Sequence, residues 1–230
     1  MILSELFPGD SRLEIDPLTS PLKAVAHWYP RVWGTRFNYV ISDIGKSNTS
    51  DEVSNELDRY VLRAIRASSD LIITTGHTAR AEHLRASKLA PMAIITTHPD
   101  SLDIPATELE SDRTIYICSS ERPATDYPNS STRWLHIPEG PISEVLQKIQ
   151  EDLHPESLLL ETGLSSTKEL CSAGLVNEIC LTVTEAVSLD SASSTAETFL
   201  KALGVSHETV QVLNNENTWF FRYLVDLKNL

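Results

Sequence analysis

The sequence predicts an α/β domain built on a mixed, mostly parallel sheet that closes with antiparallel strands at its C-terminal edge. Three observations predict it. The stretch Leu158 to Val183 reads as strand, tight turn, helix, tight turn, strand, a compact βαβ unit. Ahead of it, short β-rich runs are separated by helical periodicity or by Pro and Asp clusters. After it, Val205 to Leu213 and Trp219 to Val225 are two β-rich runs joined through Asn214, Asn215, Glu216 and Asn217, which suits an antiparallel pair.

Residues 1 to 35 contain Pro8, Pro17, Pro21 and Pro30 and read as an extended arm with few regular elements, packed on a single domain over residues 36–230. The aromatic group His27, Trp28, Tyr29 and Trp33 is suited to anchoring that arm, or else to lining a pocket. Phe37 to Ser42 alternates as a first strand. From Asp51 to Ser68, Val53, Leu57, Val61, Ala64 and Ile65 recur at helical spacing, with Ser50 or Asp51 as cap. Asp70 to Thr75 is the next strand, followed by a His-containing turn and a short helix. Met92 to Thr97, Thr114 to Ser119 and Thr132 to Ile137 are further strands. Pro141 to Leu153 is a helix with Ile142, Val145, Leu146 and Ile149 on one face. Ser194 and Glu197 form a capping-box pair for a last helix that Gly204 ends.

A chain of 230 residues can bury a substantial core as one domain. Its net charge of -13 repels nucleic acid and anionic membrane, so neither is an expected partner. Six basic residues, Arg59, Arg63, Arg66, Arg80, Arg85 and Lys88, interrupt that acidity against only Asp70 and Glu82. Such a region suits a small anionic ligand, while Arg59, Arg63 and Arg66 also fit a solvated helix face. Cys118, Cys171 and Cys180 lack Cys-x-x-Cys spacing and sit in apolar patterns, as reduced core residues of a cytoplasmic protein do. No signal peptide or membrane span is evident in the sequence.

Within the βαβ unit, Leu158 to Leu160 form an apolar run suited to a strand covered on both faces. It stops at Glu161, Thr162 and Gly163, after which Ser165 or Ser166 can cap a helix whose free amides suit a phosphate. The residues alone fit an α/β ligand site or a structural crossover.

Three segments also carry a resemblance. The Glu161-Thr162-Gly163 turn with Ala173 to Glu178, the run Asp70 to Glu82 (DLIITTGHTARAE), and Asn38 to Gly45 (NYVISDIG) lie in the order of the riboflavin-biosynthesis (RibD C-terminal) pyrimidine reductase-like family. The chain resembles its actinobacterial branch over roughly residues 36 to 226, with Trp219 to Val225 similar to the closing strand. The resemblance implies a dihydrofolate-reductase-like three-layer fold, a homodimer, NADPH as cofactor, and hydride transfer to the ribose carbon of a phosphoribosylamino-pyrimidine.

Position by position, the resemblance implies cofactor contacts at Thr75, Gly76, Thr78, Thr162, Gly163 and Ser165. It places Asn38, Ser42, Arg80 and Glu161 around the substrate, with Glu161 the candidate catalytic residue. A carboxylate near a helix start also favours the helix dipole, which is the structural alternative for Glu161. The departures are specific. Ile44 stands at the family's Asp, with Asp43 one position earlier and therefore expected on the opposite face. Thr75, His77 and Thr162 replace family glycines where a Cβ would obstruct a pyrophosphate, and Glu185 to Thr195 lacks the usual glycines. These losses carry the competing reading, a non-catalytic paralogue acting as a binding or dimer-partner protein. His77, Glu82 and His83 match no strong zinc motif, so no metal is expected.

Overall fold

Leu158, Leu159 and Leu160 are each at most 1% exposed, because their strand lies inside a sheet covered on both faces. A computed structural model describes residues 1–43, 53–81, 87–102, 114–124 and 131–226. Among them the strands are β1 (Ile2–Phe7), β2 (Arg12–Glu14), β3 (Gly34–Ser42), β4 (Leu71–Thr75), β5 (Met92–Ile95), β6 (Ile115–Ser119), β7 (Thr132–His136), β8 (Ser157–Glu161), β9 (Glu178–Thr184), β10 (His207–Asn215) and β11 (Thr218–Val225). The helices are α1 (Glu56–Ala67), α2 (Gly76–Ala81), α3 (Ile142–Leu153), α4 (Leu164–Ser172) and α5 (Leu189–Leu203).

One sheet has the order β2-β1-β10-β11-β9-β3-β8-β4-β5-β6-β7. From β9 to β7 the neighbours are parallel; β11, β10, β1 and β2 add antiparallel strands beyond β9. Alternation sorts the side chains into two cores. Phe37, Leu158, Leu160, Ile179 and Leu181 pack with Leu146 and Ile149 of α3, Leu170 of α4 and Leu200 of α5. On the other face Ile72, Leu159 and Phe220 pack with Leu57, Val61 and Ile65 of α1 and with Leu3, Trp28 and Tyr29. Helices on both faces of the sheet make the three layers of a dihydrofolate-reductase-like fold.

Several local expectations need correction. The first 35 residues are richer in structure than their prolines indicated: β1 pairs with β10 and β2 with β1. Trp28 and Tyr29 are buried, whereas Trp33 is 71% exposed with the Arg31 guanidinium over its ring. Helix α1 begins at Glu56, where Asn55 accepts from Asp58 N at 2.9 Å; Ser50 and Asp51 lie outside the described residues. Helix α5 starts at Leu189 because Ser188 accepts from Ser191 N at 3.2 Å, leaving Ser194 and Glu197 inside the helix. Gly163, not Ser165 or Ser166, precedes α4, since both serines already belong to its first turn.

Burial pushes the Cys118 thiol up to about 12, Cys171 to about 11 and Cys180 to about 12, and all three are free. Such thiols are poor nucleophiles.

A charged cluster is buried on the α1 face. Arg36 Nε donates to Glu178 Oε1 at 2.6 Å, and Arg222 donates to the same carboxylate through Nη2 at 2.9 Å and Nε at 3.3 Å. The spare guanidinium donors reach Pro30 O at 2.8 Å, Ser68 Oγ at 3.2 Å and Trp28 O at 2.6 Å. Burial alone would raise the Glu178 carboxyl, but the two guanidinium groups outweigh it and hold the group below its ordinary value.

Arg36→Met leaves a buried carboxylate short of a partner and is expected to lower the unfolding free energy by about 3–5 kcal/mol at pH 7, read by urea titration. The contribution of a depressed carboxyl is present above its unfolded-state value and fades as pH falls through the folded one. The difference between variant and wild type therefore narrows in acid.

Candidate functional site

Beta strand β8 is shorter than its neighbour β3, and the difference opens a notch. The last registered pair between them is Phe37 with Leu160, whereas β3 continues beside β9 as far as Ser42 with Thr184. Past Glu161 the chain turns away into α4. Asn38, Tyr39, Val40 and Ile41 are therefore partly exposed although they lie in a central strand. The connections also diverge here: the chain leaves β4 towards β5 on one side and leaves β8 towards β9 on the other. Open α/β sheets hold ligands at the carboxyl ends of strands flanking such a reversal.

On the α1 face of the notch lie Asn38 and Ser42, two and six residues after Arg36, together with Glu161, two residues after Leu159. The Ser42 hydroxyl donates to the Glu185 carboxylate, and Glu185 holds a left-handed backbone at φ 63°. Glu161 is gripped by Arg66 of α1, whose Nε and Nη2 reach the two carboxylate oxygens at 2.7 and 2.5 Å. Of the three arginines suited to a solvated helix face, Arg59 and Arg63 are exposed and Arg66 is turned to the site.

Asp58, on the same helix face, was not singled out by sequence. It is only 5% exposed and takes a hydrogen bond from Ser54 Oγ at 2.7 Å and another from Thr182. Burial raises its carboxyl above the ordinary value despite those bonds. An acidic residue inside a helical apolar face is the signal that would have found it.

Asp43 faces the other way. Ser191 and Thr195 of α5 both donate to its carboxylate, which ties the end of β3 to that helix. The serine-rich stretch that lacks family glycines is thus the start of α5. Ile44 lies outside the described residues, as do Glu82, His83 and Arg85.

Beside the notch, a cleft of ≈ 560 Å³ runs along the carboxyl ends of β4, β5 and β6. It is lined by Thr75, Gly76, His77 and Arg80 on or just before α2, by Thr96 and Ser120 just past β5 and β6, by Pro138 to Gly140 and by Ser166 of α4. Gly76 is required by packing, because a Cβ there would lie 2.6 Å from Thr96 Oγ1 and 2.8 Å from its Cβ. Gly163 has no such constraint: φ is −65° and, its own chain neighbours and helix backbone aside, no atom of the described residues lies within 4 Å of a Cβ built there. No side chain caps α4 at this point, leaving its first amides available to an anion.

The remaining predicted residues divide between cleft and interior. Thr75 Oγ1 accepts from Thr78 N at 3.3 Å and lies 3.1 Å from Thr78 Oγ1, so both hydroxyls serve the start of α2. Thr162 is 3% exposed and bonded at 2.9 Å to Thr167 Oγ1, turned away from the cleft. Arg80 donates to Ser101 Oγ at 3.0 Å. Ser165 is exposed, and it is Ser166 that reaches the cleft. Thr96, Thr97, Ser120 and Glu139 were not singled out as site residues; their placement at or just past the carboxyl ends of β-rich runs in a parallel sheet is the signal they carry.

The model of the RibD C-terminal domain matches residues 44–189, more than half of the chain. The chain belongs to the RibD C-terminal domain family. Among solved structures, this RibD C-terminal domain protein is similar to a pyrimidine reductase-like protein from Corynebacterium diphtheriae, at 14% identity and TM-score 0.58, covering 90% of this chain and 96% of that one. A riboflavin biosynthesis reductase from Saccharomyces cerevisiae aligns at 12% identity and TM-score 0.60 over 84% and 90% of the two chains. A bifunctional phosphoribosylaminopyrimidine deaminase and phosphoribosylaminouracil reductase from Thermotoga maritima aligns at 12% identity and TM-score 0.64, with 89% of this chain covering 60% of that one. Identities this low speak for a shared fold, and the family assignment makes the chain riboflavin-biosynthesis reductase-like. No curated protein matches the chain. Among the described residues, no helix is long and apolar enough to cross a membrane.

Because burial makes folded Asp58 bind its proton more tightly than the unfolded chain does, stability is expected to fall as pH rises from 3.8 through the folded value. Asp58→Asn removes that slope, so its stability relative to wild type should improve across the same interval and then level off. Thermal unfolding scans between pH 4 and 8 check this, and parallel curves for the two proteins would refute it.

Proposed function

We propose that this chain is an NADPH-dependent reductase of a phosphoribosylamino-pyrimidine. The observation that carries the reading is Gly163: an exposed, uncapped helix start where a side chain would meet no packing contact among the described residues, three residues before Ser166, which lines the cleft. A glycine that nothing in the fold requires is suited to the close approach of a ligand backbone. The replaced glycines fit this reading better than sequence indicated. Thr75 and Thr162 spend their hydroxyls on Thr78 and Thr167, and Thr162 is buried; only His77 projects an exposed side chain along the cleft.

In this reading the α4 amides bind phosphate, with Thr78 and Arg80 on the neighbouring α2 turn. The bound reductant supplies hydride to the ribose carbon. Asn38 and Glu161, at the notch, orient the sugar, Glu161 accepting hydrogen bonds from its hydroxyls. The substrate is a small anion, the setting is cytoplasmic, and the working form is a homodimer. The second reading, a non-catalytic binding or dimer-partner protein, is favoured by Asp43, whose carboxylate is committed to α5 instead of the notch.

Fluorescence titration with NADPH tests the proposal; absence of binding at about 1 mM removes it. Gly163→Ser, which offers a capping hydroxyl in an extended backbone suited to one, is expected to keep or raise the melting temperature while weakening NADPH binding. Glu161→Gln is expected to lower kcat/KM for the pyrimidine roughly 10- to 100-fold, the effect of a lost charged hydrogen bond. Unchanged turnover in that variant rules out the role given to Glu161.

A further inference from the structure

We infer that Arg66 is the positioning residue of the ligand site, holding the Glu161 carboxylate in a fixed plane to accept a hydroxyl of a sugar phosphate. This rests on the reading of the notch as the ligand site, but not on NADPH binding or on turnover.

The grip has the fork geometry that guanidinium and carboxylate planes make together, with both oxygens engaged at 2.7 and 2.5 Å. It joins two different layers, α1 and the carboxyl end of β8, at side chains that are 25% and 15% exposed. A fully solvated pair would leave the carboxylate free to rotate. Here the pair fixes the carboxylate plane with respect to β8, in the turn that leads to Gly163.

A carboxylate has about four lone-pair positions, and a forked guanidinium occupies two of them. Among the described residues, Arg66 is the only side-chain partner of Glu161. One outward acceptor position therefore remains on each oxygen; the two diverge to opposite sides of the fork, so a given sugar hydroxyl is accepted at one of them. Lysine cannot replace the fork, because a point charge leaves the carboxylate plane free.

The test is a double-mutant cycle read by calorimetry with ribose 5-phosphate as probe, over wild type, Arg66→Lys, Arg66→Gln, Glu161→Gln and the two double variants. The melting temperature of each is measured to establish folding. Arg66→Gln and Arg66→Lys are expected to weaken binding about tenfold, while in the Glu161→Gln background neither changes it further. A merely structural arginine would give losses that add, and additive losses overturn the inference. So does equal binding by Arg66→Lys and wild type, or no binding of the probe by wild type. NADPH titrated separately distinguishes the two failures. A protein that binds sugar phosphate through the coupled pair but ignores NADPH keeps this inference and loses the reductase reading; one that binds NADPH alone does the reverse.

Discussion

A buried carboxylate shared between two arginines sets the geometry on which the rest of this protein depends. Glu178 opens β9, Arg36 sits early in β3 and Arg222 lies in β11, so the cluster fastens three adjacent strands at one level. Parallel pairing of β9 with β3 and antiparallel pairing with β11 meet at that point. The leftover donors reach carbonyls of Trp28 and Pro30, so the N-terminal segment is seated by the same charges. An apolar cluster of equal volume would be as stable or more so, but it would not discriminate between registers. Charged groups with directional partners tolerate no slip, because a shift of one residue would send Arg36 to the opposite face.

Fixed register at that level determines what happens at the other end of the strands. With β3 held against β9 along its length, the early end of β8 leaves a gap beside Asn38 to Ser42 that no strand among the described residues fills. The side chains that border it are governed by alternation: Ser42 goes to the α1 side and Asp43 to α5. Their hydroxyl and carboxylate partners make both directions permanent. Much of the site is thus a consequence of strand lengths, and only then of which residues stand at the ends.

What could be read in the sequence follows the range of the interactions involved. Leu158 to Leu160, the apolar face of α1 and the Gly204 helix end are short-range patterns, and they were legible. Helix starts were less so, because serine, asparagine and aspartate are abundant ahead of α1 and α5 and every one of them can cap. The strand character of Ile2 to Phe7 depends on β10, far away along the chain, and prolines nearby masked it. Glu161 was visible from its turn, but the grip of Arg66 was not: the partners are 95 residues apart. Thr162 looked like an obstruction because sequence gives identity and not direction; its bond to Thr167 turns it inward.

The tie between Asp43 and α5 has a consequence for how this chain can change. Moving the carboxylate one position on, to where the family keeps it, would strip Ser191 and Thr195 of their shared acceptor and leave two hydroxyls facing a partly buried gap. Replacing Ser191 and Thr195 alone would strand the charge. The three positions are therefore coupled: the carboxylate and its two hydroxyl donors are tolerable only together, and changing them one at a time passes through less stable proteins. A divergence of this kind acts as a ratchet, preserving the unusual pattern whatever selection now acts on the site.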